Sequence, residues 1–192
     1  YLQANPNLKH IDCDWNIKDQ YLPLIKNIKL GSITLAKQYN RKILKFLPEN
    51  ITRVSFIDNS LNASVIEDLK SYKNLKNFYI SGCTIDESFM KGLNKLNVKS
   101  LSITKSQLPE AILEKSINAL KDLEILSINQ CNLNSKLSIT APMLQNIDLE
   151  RNELKELKVS GLQNLESVKI SQNKLQYFEI SSESVERIYA AK

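Results

Sequence analysis

The sequence predicts an α/β solenoid: a curved stack of repeats with a parallel β-sheet on the concave face, and short helices then extended segments on the convex face. Three observations carry this. The pattern L-x-x-L-x-L-x-x-N/C-x-L, with other apolar residues replacing some leucines, recurs along the whole chain. Most copies start 20 to 26 residues apart, close to one supersecondary unit per copy. Leu, Ile, Val and Phe supply 60 of the 192 residues, enough to fill a continuous core.

The clear copies are ITRVSFIDNSL (51–61), LKNFYISGCTI (75–85), VKSLSITKSQL (98–108), LEILSINQCNL (123–133), LQNIDLERNEL (144–154) and LESVKISQNKL (165–175). Weaker copies start at Leu8, Ile25 and Val185. The nine starts are separated by 17, 26, 24, 23, 25, 21, 21 and 20 residues. Each x-L-x-L-x stretch reads as a short strand with its leucines facing inward. The ninth place turns the chain inward, and its side chain must satisfy buried backbone groups. Asn59, Asn152 and Asn173 suit that task, and Ser106 holds the same place. Cys83 and Cys131 also fall there, and read as buried rungs rather than reactive thiols.

Between strands the chain divides in two. Val65, Ile66, Leu69 and Tyr72 have helical spacing, and 86–93 and 109–120 also read as helices, the latter opened by Pro109. From Leu133 onward the returns are too short for useful helices, and KLSITAPML and ELKVSGLQNL read as a second short strand with a turn.

These repeats resemble the leucine-rich repeat family over essentially the whole chain. The resemblance implies a recognition scaffold rather than an enzyme. DCDWNI (12–17), ILKFLPENITRVSFIDNSL (43–61) and VERIYAAK (185–192) look like secreted leucine-rich repeat proteins of insects, including those of mosquito innate immunity. That finer resemblance implies an extracellular protein that binds other proteins in host defence. In such proteins further repeats and a disulfide-rich coiled-coil region follow, and neither lies within these residues. Nor is there an earlier cysteine to pair with Cys13. Neither end carries a polar capping unit, so we expect residues 1–192 to be a single domain forming part of a longer chain.

Composition narrows the function. The net charge is +5, 22 Lys and 4 Arg against 21 Asp and Glu, with the cations dispersed along the chain, a pattern that argues against nucleic acid. Four Gly leave little for phosphate-cradling loops, and one His, His10, cannot build a multi-histidine metal site. No apolar run approaches the ~20 residues of a membrane span. Three cysteines without a CxxC define no disulfide framework, and Tyr1 in place of Met indicates a removed leader or an excised portion.

Candidate chemistry is sparse. Asp12, Asp14 and Asn16 begin like a calcium loop, which Ile17 and Pro23 then break. Ser102/Lys105 and Ser171/Lys174 match S-x-x-K without its companion motifs. His10 beside Asp12 has no evident nucleophile. Trp15 serves equally well as a binding anchor or as a cover for the start of the core. Asn50 and Asn62 head N-x-S/T sequons at repeat edges that would tolerate a sugar. We expect no catalytic, cofactor or metal site.

The concave face is the expected partner surface, with Lys26, Lys29, Arg53, Lys76, Tyr79, Lys99, Lys105, Glu124, Asp148, Glu150 and Tyr189 as its contacts. Second-place residues change sign between Lys99 and Glu124, which suits a protein of complementary polarity. The expected partner is therefore another protein, not nucleic acid, a membrane or a small-molecule substrate. Three readings stay open: a secreted module, favoured on location; an intracellular adaptor or effector in the cytoplasm; and the substrate-binding arm of a larger enzyme.

Overall fold

The computed structural model describes residues 5, 7–14, 16–37 and 39–191. Trp15 lies outside the described residues.

Alternation builds the concave sheet. The fourth and sixth residues of each repeat are apolar, so an extended backbone sends both to one face. Among the described residues nine such strands form one sheet: β1 (His10–Cys13), β2 (Ser32–Leu35), β3 (Arg53–Ile57), β5 (Asn77–Ser81), β7 (Ser100–Thr104), β8 (Ile125–Asn129), β10 (Asn146–Asp148), β12 (Ser167–Lys169) and β14 (Arg187–Tyr189). Every pairing is parallel and in register. Ile33, Val54, Phe78, Leu101, Leu126, Ile147 and Val168 thus stack as one buried row. Burial of each such side chain stabilises the fold by roughly 1.5–3 kcal/mol.

The second repeat starts at Leu30 and not at the expected Ile25, because Ser32 pairs with His10 and Ile33 with Ile11. Its start therefore lies 22 residues after Leu8 and 21 before Ile51. Ile25 instead closes α1 (Leu22–Ile25). Ile25, Ile28 and Leu30 fit the strand pattern and are buried, but they pack in the turn that leads to β2.

Six of the nine concave strands are followed by a left-handed residue. Asp58, Gly82, Lys105, Gln130, Arg151 and Gln172, the eighth places of six successive repeats, have φ between 48° and 65°. A Cβ on Gly82 would stand 2.1 Å from Asp58 Oδ1, so glycine suits that site twice over. The ninth side chain then bonds to the backbone of the preceding repeat. Asn59 Nδ2 donates to Leu35 C=O (2.8 Å), Asn152 Nδ2 to Ile128 C=O (2.7 Å) and Asn173 Nδ2 to Leu149 C=O (2.8 Å). The thiols of Cys83 and Cys131 reach the equivalent carbonyls of Phe56 and Ile103 at 3.6 and 3.7 Å. Burial pushes both thiols above their ordinary pKa, as a rung position requires.

On the convex side, β4 (Ser60–Leu61) and β6 (Thr84–Ile85) form a small parallel pair. Helices α2 (Ala63–Leu69), α3 (Glu87–Gly92) and α4 (Glu110–Asn118) follow, where helices are expected. Asn62 caps α2 by accepting from Ser64 N–H, and Asp86 caps α3 by accepting from Phe89 N–H (2.8 Å). Gly92 lets α3 approach α2, since a Cβ there would meet Ile66 Cγ1 at 2.9 Å. Later repeats replace the helices by a parallel sheet of β9 (Lys136–Ile139), β11 (Glu156–Ser160) and β13 (Tyr177–Ser181). Opposite charges face across it: Lys136 with Glu156 (2.6 Å) and Lys158 with Glu179 (3.6 Å).

At the change from helix to sheet, one edge of β9 has no strand neighbour among the described residues. A stripe of α4 side chains covers it. Glu110 accepts from Asn134 and Ser135 N–H (both 3.1 Å), and Glu114 accepts from Ser138 N–H (2.9 Å). Asn118 accepts from Thr140 N–H (2.8 Å) and donates to Ser138 C=O (2.9 Å). Residues i, i+4 and i+8 share one helix face, so a helix can present a row of partners to an extended backbone.

Candidate recognition face

Because the fourth and sixth residues point inward, the third and fifth form the concave floor. The third-place row runs His10, Ser32, Arg53, Asn77, Ser100, Ile125, Asn146, Ser167, Arg187. The fifth-place row runs Asp12, Thr34, Ser55, Tyr79, Ser102, Ser127, Asp148, Lys169, Tyr189. The floor is therefore mostly hydroxyl and amide, with charges at a few strands. Arg53, Tyr79, Ile125 and Tyr189 stand exposed on it. Between β3, β5 and β7 lies a shallow depression of about 260 Å³, lined by Arg53, Ser55, Asn77, Tyr79, Ser100 and Ser102.

Of the residues expected on this face, Arg53, Tyr79, Asp148 and Tyr189 lie on its floor. Glu150 follows β10, its N–H donating to Asp148 Oδ1 (3.2 Å). Lys105 holds a left-handed turn at the C-terminal edge of the sheet. Lys76, Lys99 and Glu124 lie along the N-terminal edge. There each second-place carbonyl accepts two N–H groups of the next repeat, as Lys99 C=O does from Glu124 and Ile125. Lys26 and Lys29, with the repeat starting at Leu30, fall in the connection before β2 and line a lateral hollow of about 550 Å³ with Lys9. The expected sign change is therefore a property of the edge, where Lys99 pairs directly with Glu124. The Glu124 carboxylate holds the Lys99 ammonium above its ordinary pKa, first by the hydrogen bond and then by its charge.

Sequence reasoning missed Asn77, Ser100, Ser102 and Ile125, although counting outward from the fourth and sixth places would have found them. It also missed a partner for His10. Ser32 Oγ lies 2.7 Å from His10 Nδ1, and Asp12 Oδ1 lies 2.8 Å from Nε2. Hydrogen bonds from Thr34 first, then from His10, hold the Asp12 carboxyl below its usual pKa. An acyl-transfer site also needs N–H donors for an oxyanion. Here the Gly31 and Ser32 N–H groups both donate to Lys9 C=O, at 2.9 and 3.1 Å. The exposed set is a cross-strand network that ties β1 to β2.

Lys105 is exposed, and Lys174 is exposed and paired with Glu153 (2.9 Å), so neither S-x-x-K lysine is desolvated as a nucleophile site would need. Among the described residues no group of three His, Cys, Asp or Glu side chains could hold a metal. No described helix is long and apolar enough to cross a membrane. Asn50 and Asn62 are both exposed. Asn50 Nδ2 donates to Leu30 C=O (3.1 Å), while Asn62 engages its oxygen with Ser64.

By sequence, no protein-family model matches the chain, and neither does any curated protein. Solved structures do. The crystal structure of a TLR13–ssRNA13 complex superposes over 99% of this chain with a TM-score of 0.58 and 17% identity, and the chain spans 34% of that one. A leucine-rich repeat protein of Leptospira interrogans aligns over 98% of this chain and 85% of its own, with a TM-score of 0.38 and 11% identity. The fold is a leucine-rich repeat solenoid. Its Asn/Cys/Ser ladder, left-handed eighth residues and in-register sheet account for the consensus place by place. Among the described residues, no element covers the concave floor of the sheet.

Proposed function

We propose that the chain is a recognition module that holds another protein on its concave floor. One observation carries this reading: the inner face of the sheet is covered by helices and a second sheet, whereas the outer face carries exposed Arg53, Tyr79, Ile125 and Tyr189 on a bed of small polar side chains. Tyrosine and arginine dominate binding energy at protein interfaces, because each combines large contact area with directional polar groups. Small neighbours leave room for a partner's side chains to seat between them.

The test compares capture by the parent chain, by a Tyr79→Glu/Ser102→Arg variant that fills and recharges the floor, and by Lys115→Glu on exposed α4. Proteins retained by the parent and by Lys115→Glu, and lost by the floor variant, support the reading. Retention by all three overturns it. The matched TLR13 structure contains RNA, so the capture is repeated after nuclease; a nuclease-sensitive catch also overturns it. The acidic second places Glu124, Glu166 and Glu186 would repel a nucleic-acid backbone along half of the N-terminal edge.

Within this reading we place the protein outside the cell, in host defence, on the resemblance of its opening and closing segments to secreted insect proteins. Asn62 is the better sugar acceptor, since glycosylating Asn50 would disturb its bond to Leu30. Peptide mass spectrometry of native material checks this: an N-acetylhexosamine-based glycan on a peptide containing Asn62 supports export, and an unmodified peptide favours the cytoplasmic adaptor.

A further inference from the structure

We propose that the depression between β3, β5 and β7 receives an aspartate or glutamate side chain from an extended partner segment lying across the strands. This rests on the concave floor being the binding face, and names what that face selects.

The charge pattern on the floor supports it. From β2 to β8, five neighbouring strands, the third and fifth places carry a single charge, Arg53, and no carboxylate. Arg53 is exposed and has no ion pair among the described residues. Carboxylates flank this stretch: Asp12 on β1, Asp58 just beyond β3, and Glu124 before β8, which Lys99 already holds. The same depression is lined by Ser55, Asn77, Tyr79, Ser100 and Ser102, whose hydroxyl and amide groups face a shared space with Arg53. A planar fork with two parallel donors matches a carboxylate, and hydroxyls can rotate to donate to its remaining lone pairs. A neutral group would leave the guanidinium half-desolvated and uncompensated, so the site discriminates by charge.

The strand spacing also sets a footprint. Strands lie about 4.8 Å apart, so Ile125, in the same row as Arg53 and three strands away, is about 14 Å distant. Asp148, four strands away and two residues further along, is about 20 Å from Arg53. An extended chain advances about 3.4 Å per residue. The fitting segment thus has an acidic residue, an apolar residue about four positions away to meet Ile125, and a basic residue about six positions away to meet Asp148. Either chain direction satisfies this.

The experiment pans a random twelve-residue peptide library against the parent protein and measures the affinity of selected peptides for Arg53→Gln, Arg53→Lys and Ser102→Arg. We expect a shared Asp or Glu in the selected peptides. Arg53→Gln should lower their affinity about tenfold or more, Arg53→Lys by less, and amidating the peptide's carboxylate should cost nothing further in Arg53→Gln. Peptides displaced by Ser102→Arg but lacking an acidic preference, or indifferent to Arg53→Gln, overturn this inference and leave the concave reading standing. Peptides indifferent to Ser102→Arg, or a library that yields no binder, count against both.

Discussion

Asn152 is only 6% exposed, yet its side chain serves the backbone of two repeats. Its Oδ1 accepts from Cys131 N–H (2.9 Å) and Leu133 N–H (3.4 Å), and its Nδ2 donates to Ile128, Leu149 and Glu150 carbonyls. Truncation would leave buried donors and acceptors without partners, which costs more than the net worth of the bonds themselves. Asn152→Ala is expected to lower unfolding free energy by about 2–4 kcal/mol. Asn152→Cys should lower it by less, because Cys83 and Cys131 show that a thiol can reach the carbonyl though it accepts weakly. Urea denaturation decides the point, and an alanine variant with the parent's midpoint would show that water replaces the side chain.

Between repeats the unit that matters is the pair of neighbouring elements, and the seam of α4 with β9 is the least ordinary of them. Glu114→Ala removes the partner of Ser138 N–H while leaving Asn118 in place. We expect faster hydrogen exchange at Ser138 and its neighbours, little change in β10, and a loss of about 1–2 kcal/mol. Unchanged exchange at Ser138 would mean the carboxylate is dispensable to the strand edge. Elements were also where reading the sequence succeeded and failed. The helices before Leu133 and the strands after it were legible from spacing and from the length of the returns. The second repeat was not, because Ile25-x-x-Ile28-x-Leu30 and Leu30-x-x-Ile33-x-Leu35 both satisfy the pattern, and only pairing with β1 separates a buried turn from a strand. The concave floor was half legible. Positions one and four are an odd number apart, so alternation cannot be carried back through position two. Lys76, Lys99 and Glu124 were therefore assigned to the floor although they mark its edge. No local pattern could have shown α4 side chains holding β9, since that contact joins two different periodicities.

Across the whole molecule each repeat touches only its neighbours, so stability depends on where along the stack a contact is lost. Leu126 and Ile188 occupy the same fourth place, and both side chains point to the core side of their strands. Leu126 is fully buried between β7 and β10, while Ile188, on the last described strand, is 51% exposed. Leu126→Ala opens a cavity against both neighbouring layers and is expected to cost about 2–5 kcal/mol. Ile188→Ala removes side-chain area that is already half in water, with a single strand neighbour, and is expected to cost less than about 1 kcal/mol. A stack that unfolds as one unit would register both losses on a single denaturation transition. If coupling between layers is weaker than that, Leu126→Ala splits the transition, and probes near Cys13 and near Tyr189 lose structure at different urea concentrations. Equal losses from the two substitutions would contradict the nearest-neighbour picture, because they would make position in the stack irrelevant to what a leucine or isoleucine contributes.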